Sequence, residues 1–156
     1  MRVLSLTQPW AELVVLGEKR VETRDWATGY RGPLLIHASK GYPRAAQVFR
    51  NDSVVEDALR RHGLLVSPLP LGAIIGSVEL VDCVPVDSEK WRGMVKRVDP
   101  REWIWGNLEP GQNPQRVAWM LQRARKLPVA IPAAGSLGLW TWELPGADEA
   151  ALRGGG

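Results

Sequence analysis

The sequence predicts an α+β fold: a small, partly closed β-barrel of five or six mostly antiparallel strands, with two or three helices covering its openings. Three observations predict it. Several short segments alternate apolar and polar residues with a period of two, as in Arg116–Leu121 and Leu139–Leu144. Helical spacing is confined to a few short stretches between Pro9 and Gly63. Glycine and proline punctuate the chain between these segments, with no internal repeat and no heptad pattern. The length of 156 residues suits one domain over 1–145, followed by a flexible tail over 146–156.

The elements follow in order. Val3, Leu4 and Leu6 with Ser5 and Thr7 read as a first strand. Pro9 suits the first turn of a helix, where its missing N–H costs nothing, and Trp10, Leu13 and Val14 give that helix an apolar face. Gly17 is the expected terminator, and a strand runs through Val21 to Arg24. Leu34 to Ser39 reads as an apolar strand. A helical region starts near Gly41-Tyr42-Pro43, and Asp52 or Ser53 caps the next helix, which His62-Gly63 closes. Ala73 to Val86 is β-rich, and Gly76 inside it predicts a bend or bulge. Residues 87–114 read as mostly irregular and polar, with Trp103 and Trp105 flanking Ile104.

Composition narrows the class. No apolar run is long enough for a transmembrane helix, and the N-terminus lacks a signal-peptide pattern. Cys83 is the lone cysteine, which excludes an internal disulfide, and with only His37 and His62 a structural zinc site is not expected. These features point to a cytoplasmic protein, expected to be a monomer. The net charge is +3 and the pI about 9.4. Bases concentrate in residues 89–126, which hold Lys90, Arg92, Lys96, Arg97, Arg101, Arg116, Arg123, Arg125 and Lys126 against Glu89, Asp99, Glu102 and Glu109. A localised basic surface suits a polyanion, and Lys90, Arg92, Lys96 and Arg97 are the expected phosphate contacts. A simply solvated basic loop is the alternative. Eight tryptophans against one phenylalanine is an unusual ratio. Trp119 and Trp140 are assigned to the core, whereas one or two others could stack on a planar ligand.

The densest polar motif is Gly17-x-Lys19-x-x-Glu22-x-Arg24. Glu22 and Arg24 share one face of a strand, and Thr23 points to the other. Arg24 offers a planar, two-pronged donor, Lys19 a mobile cation, and ionised Glu22 only acceptors. With Gln8 at the start of the first helix and Trp10 or Trp26 as a stacking plane, these groups could hold an unstacked nucleobase. Glu22 and Arg24 could equally be a plain surface pair, worth under about 1 kcal/mol. His37, on an apolar strand, is expected to be a hydrogen-bonded core histidine.

From Leu4-Ser5-Leu6-x-Gln8-Pro9-Trp10-Ala11 through Gly17-x-Lys19-x-x-Glu22-x-Arg24, the chain resembles the ASCH domain family of the PUA-like superfamily. Further blocks follow in order: Arg31 to Ser39, Gly72 to Val78, Ala118 to Leu121, and Pro132 to Trp140. The resemblance spans about residues 3–144. It implies a PUA-like β-barrel with a cleft beside the first helix, and a nucleic acid or modified nucleoside as ligand. RNA is preferred and DNA is the lesser option. The ligand-binding residues would be Gln8, Trp10, Lys19, Glu22, Arg24, Trp26, Tyr30 and Ser39.

The resemblance also implies a second possibility, a small hydrolase acting in the same cleft. In an amidohydrolase branch, a threonine stands three residues after the lysine as nucleophile; this chain has Glu22 there. Lys19 and Glu22 remain as an acid–base pair, with Tyr30 and Ser39 as further candidates for ribonuclease chemistry. No cofactor is expected, although a divalent metal would be compatible with a nuclease. A protein-interaction role for the tryptophan-rich 103–105 segment is the third alternative.

Overall fold

The computed structural model describes residues 1–108, 111 and 113–144. The tail expected over 146–156 lies outside the described residues. The strands are β1 (Arg2–Leu6), β2 (Val21–Arg24), β3 (Gly32–Ala38), β4 (Ala73–Pro85), β5 (Val117–Pro132) and β6 (Leu139–Thr141). The helices are α1 (Trp10–Val15), α2 (Arg44–Arg50), α3 (Ser53–Arg61), α4 (Glu89–Met94) and α5 (Pro100–Gly106), with a short 3-10 helix over Val95–Arg97. The strands form one six-stranded sheet ordered β2-β5-β4-β3-β1-β6. The fold class is α+β on a small barrel-type sheet, as expected. The sheet is mixed: β1 runs parallel to β3 and antiparallel to β6, and β2 runs antiparallel to β5.

The chain divides into two compact units, and β4 and β5 are long enough to contribute to both. Of the described residues, the first comprises 1–18, 33–78 and 123–144. Its core includes Val3, Leu35 and Ile74, with Leu127, Ile131, Trp140 and Trp142 packed against them. Helix α1 ends as the glycine predicted. Gly17 adopts φ 75°, its N–H reaches the Val14 carbonyl, and the Glu18 N–H reaches that of Leu13. That double bond satisfies two of the carbonyls a helix end leaves unpaired. Asp52 caps α3 by accepting from the Val54 and Val55 N–H groups.

Gly76, where a bend or bulge is expected, lies inside β4. The surrounding packing requires a glycine there. A Cβ at this position would collide with the Arg125 carbonyl and the Val15 side chain. The missing side chain lets α1 and β5 approach β4.

The second unit comprises residues 19–32 and 79–122. Its core contains Val21, Val84, Val86, Trp91, Val95, Leu108 and Ala118. The irregular segment expected over residues 87–114 is corrected: α4, the 3-10 helix and α5 occupy much of it, which brings the α-helices among the described residues to five rather than two or three. Both helix starts carry caps in the sequence. Ser88 accepts from the Trp91 N–H, and Asp99 accepts from that of Arg101, with Pro100 in the first turn. Trp91, Met94, Val95 and Val98 recur at three and four and turn toward the core. That spacing was present in the sequence but was obscured by interleaved charge.

Of the two tryptophans assigned to the core, Trp119 is fully buried, whereas Trp140 is only half-buried. The indole N–H of Trp140 remains engaged, on Ser5 Oγ at 3.1 Å.

Candidate functional site

In the second unit, the short strand β2 determines where the motif residues point. Its register pairs Glu22 with Trp119, Thr23 with Ala118 and Arg24 with Val117. Directly opposed residues share a face, so Glu22, Arg24, Trp119 and Val117 lie together. Val21 and Thr23 take the other face, where Val21 and Ala118 join the core cluster with Trp91. Helix α5 approaches closely on that side: a Cβ at Gly106 would sit 2.6 Å from Thr23 Oγ1.

Glu22 is half-buried, and its Oε1 accepts from the Thr23 N–H at 2.8 Å, which fixes the carboxylate. Arg24 is half-buried on the same face. Trp26 follows, with its ring edge-on to Trp119 at 4.7 Å and 84°. The Trp119 indole N–H donates to the Trp26 carbonyl at 3.0 Å, so ring and backbone are held together. Tyr30 is half-buried, and its N–H donates to Thr28 Oγ1. Arg31 braces the same loop by donating to the Thr28 and Tyr30 carbonyls.

Lys19 is not the mobile cation expected. It is 3% exposed, donates to the Val21 carbonyl, and lies 3.6 Å from Glu102 Oε2. Glu102, on α5, accepts from the Arg20 N–H. Burial pushes its carboxyl above the usual carboxylate range, against the opposing pull of Lys19 and of the Arg20 and Val21 N–H groups. Nothing in sequence reasoning singled out Glu102. The available signal was an acidic residue at the apolar spacing of a Pro-initiated helix.

The expected phosphate contacts lie on α4 and the 3-10 helix. Lys90, Arg92, Lys96 and Arg97 are all exposed, on the side away from Trp91 and Val95. Lys90 and Arg31 both bond Asp82. The hydrogen bond from Lys90 leads the effects that hold the Asp82 carboxyl below its usual range, and Arg31 adds to it.

The remaining candidates belong to the first unit. Gln8 is fully buried, and its amide is already engaged: Oε1 accepts from the Glu12 N–H, and Nε2 donates to the Pro70 carbonyl. It organises α1 locally. Trp10 is half-buried and packs on Phe49 at 5.0 Å. Ser39 is half-buried, and its N–H donates to the Leu6 carbonyl. Sequence reasoning also missed Glu12, a carboxylate with 0% exposure that pairs with Lys126 on β5. A lone acid in the apolar run Trp-Ala-Glu-Leu-Val-Val was its signal.

His37 is the hydrogen-bonded core residue expected. Its Nε2 meets the Ala133 carbonyl at 2.9 Å, so Nε2 carries the hydrogen and Nδ1 accepts from the Ser5 hydroxyl at 3.0 Å. Among the described residues, no group of three or more His, Cys, Asp or Glu is arranged to hold a metal. None of their helices is long and apolar enough to cross a membrane.

Comparison with known proteins places these features in a family. Over 81 residues the chain is 37% identical to Activating signal cointegrator 1 of Homo sapiens, and it matches the Mus musculus protein of the same name at the same figure. The match covers 52% of this chain but only 14% of each relative, so the chain spans a small part of their length. The crystal structure of ASCH from Zymomonas mobilis aligns with a TM-score of 0.48 at 17% identity, covering 84% of this chain and 72% of that one. The family model for the ASCH domain matches residues 4–127. This chain belongs to the ASCH domain family.

Proposed function

We propose that this chain is a nucleic-acid-binding ASCH domain, with RNA or a modified nucleoside as ligand. One observation carries the reading: the second unit holds both a solvent-facing row of cations and a face that can read a base. Lys90, Arg92, Lys96 and Arg97 project from α4 and its 3-10 continuation, while Trp91 and Val95 anchor that segment in the core. Exposed cations on an anchored segment suit a phosphate backbone, which fixes orientation without reading sequence, and Lys90 would exchange Asp82 for a phosphate. Glu22, Arg24 and Trp26 supply an acceptor, a donor fork and an aromatic plane, and Tyr30 lies on the loop beyond.

Binding is favoured over hydrolysis by the state of Lys19. A general acid or base must reach its substrate, and Lys19 would first have to leave the Val21 carbonyl and Glu102. Its role in this reading is to position β2.

A salt titration of binding to fluorescent single-stranded RNA tests the proposal. Log affinity should fall linearly with log salt, by about 0.7 per phosphate contacted. Replacing Lys90, Arg92, Lys96 and Arg97 by alanine should flatten that slope. Absence of binding even at low salt would overturn the reading. RNA cleavage by the wild type, abolished in a Lys19→Ala variant whose circular dichroism shows it still folded, would establish the hydrolase instead.

A further inference from the structure

We infer that Trp26 and Glu22 form a one-base platform that takes an unstacked base bearing an exocyclic amine, cytosine before uracil, from single-stranded nucleic acid. The inference rests on the nucleic-acid reading above and specifies the ligand class.

The eight tryptophans are not equivalent. Seven are buried or half-buried, and Trp26 is the most exposed of the eight, at 36%. An indole presented to water is normally mobile or covered, yet Trp26 is held in place. Its carbonyl accepts from the Trp119 N–H at 3.0 Å, and its ring abuts that of Trp119 at 84°. Trp119 is fully buried and cannot move aside. The chain therefore holds a partly solvent-exposed indole in a fixed position, which a stacking base can cover with little further loss of entropy. Bases inside a duplex are already stacked, so only a single strand or an extruded base can use it.

Glu22 supplies the selection. It stands opposite Trp119 on the neighbouring strand, which puts its side chain on the same face as that indole. The Thr23 N–H holds Oε1 at 2.8 Å, so the carboxylate is oriented before any ligand arrives. An ionised carboxylate can only accept. It favours the amine of cytosine, adenine or guanine. It disfavours uracil, whose single edge N–H lies between two carbonyl oxygens that repel it. Arg24, on the same face, offers donors to the ring nitrogen or carbonyl beside the amine.

The test measures binding of oligo(C), oligo(U) and a duplex of equal length at one low salt concentration, for the wild type and for Trp26→Ala, Trp26→Phe and Glu22→Gln. Oligo(C) should bind more tightly than oligo(U), and both more tightly than the duplex. Trp26→Ala should weaken single-strand binding about tenfold and leave duplex binding unchanged, while Trp26→Phe keeps most of the affinity. Glu22→Gln, which can donate as well as accept, should erase the preference for cytosine. If single strands bind with the expected salt dependence but these variants change neither affinity nor base preference, the platform is overturned and the nucleic-acid reading stands. If no oligonucleotide binds, both fall.

Discussion

Lys19 and Glu102 lie 3.6 Å apart, both buried, and between them they engage the backbone of the short strand β2. Lys19 takes the Val21 carbonyl and Glu102 takes the Arg20 N–H. β2 is a terminal strand of the sheet, and such a strand exposes polar groups that would template pairing with another chain. Here two side chains satisfy part of that need, and α5 is pinned to the strand in the same contact.

The pair sets a pH dependence. Burial raises the folded-state pKa of Glu102 above its unfolded value, so the folded chain binds this proton more tightly. Its stabilising contribution is complete below the ordinary carboxylate range and is lost as pH rises through the raised pKa. Denaturant titrations of the wild type and Glu102→Gln should diverge across that window, with the wild type losing ground as pH rises. Lys19→Met, which leaves the carboxylate buried without its cation, should cost about 3–5 kcal/mol at neutral pH.

The Glu12–Lys126 pair makes a parallel prediction in the first unit. Glu12 is fully buried, and its Oε2 has no hydrogen-bond partner, so Lys126 alone offsets its charge among the bonds described. Lys126→Met should destabilise by about 3 kcal/mol, and adding Glu12→Gln should recover much of the loss. A double-mutant cycle by chemical denaturation measures the coupling.

Gly76→Ala should be among the most damaging small substitutions. The added methyl would meet the Arg125 carbonyl, a backbone atom that cannot rotate away. The expected loss is about 1–3 kcal/mol, read as a lower denaturation midpoint with an unchanged m-value.

Ser5→Ala removes the hydroxyl that joins two partners. Trp140 Nε1 would lose its acceptor at 3.1 Å, and His37 Nδ1 its donor at 3.0 Å. The expected cost is about 1–3 kcal/mol by thermal denaturation. Ser5→Thr, which keeps the hydroxyl, should cost less.

The sequence by itself determined the local elements. A proline that opens α1, a Gly17 that closes it, and the Asp52 cap act within a few residues and are readable without a fold. Period-two alternation marked β5 and β6, although β5 runs on to Pro132, well past the alternating stretch. Family membership was legible from the ordered motifs, and so was the separation of Thr23 from Glu22 and Arg24 across the faces of β2. Tertiary structure decided what those motif residues do. Lys19 reads as a ligand cation until α5, some eighty residues later, brings Glu102 against it. Trp26 reads only as an alternative to Trp10 for a stacking plane until Trp119 fixes it in a partly exposed position. The physical reason is range. Caps and alternation are set by neighbouring residues, whereas burial and charge pairing depend on partners that only the folded chain brings together.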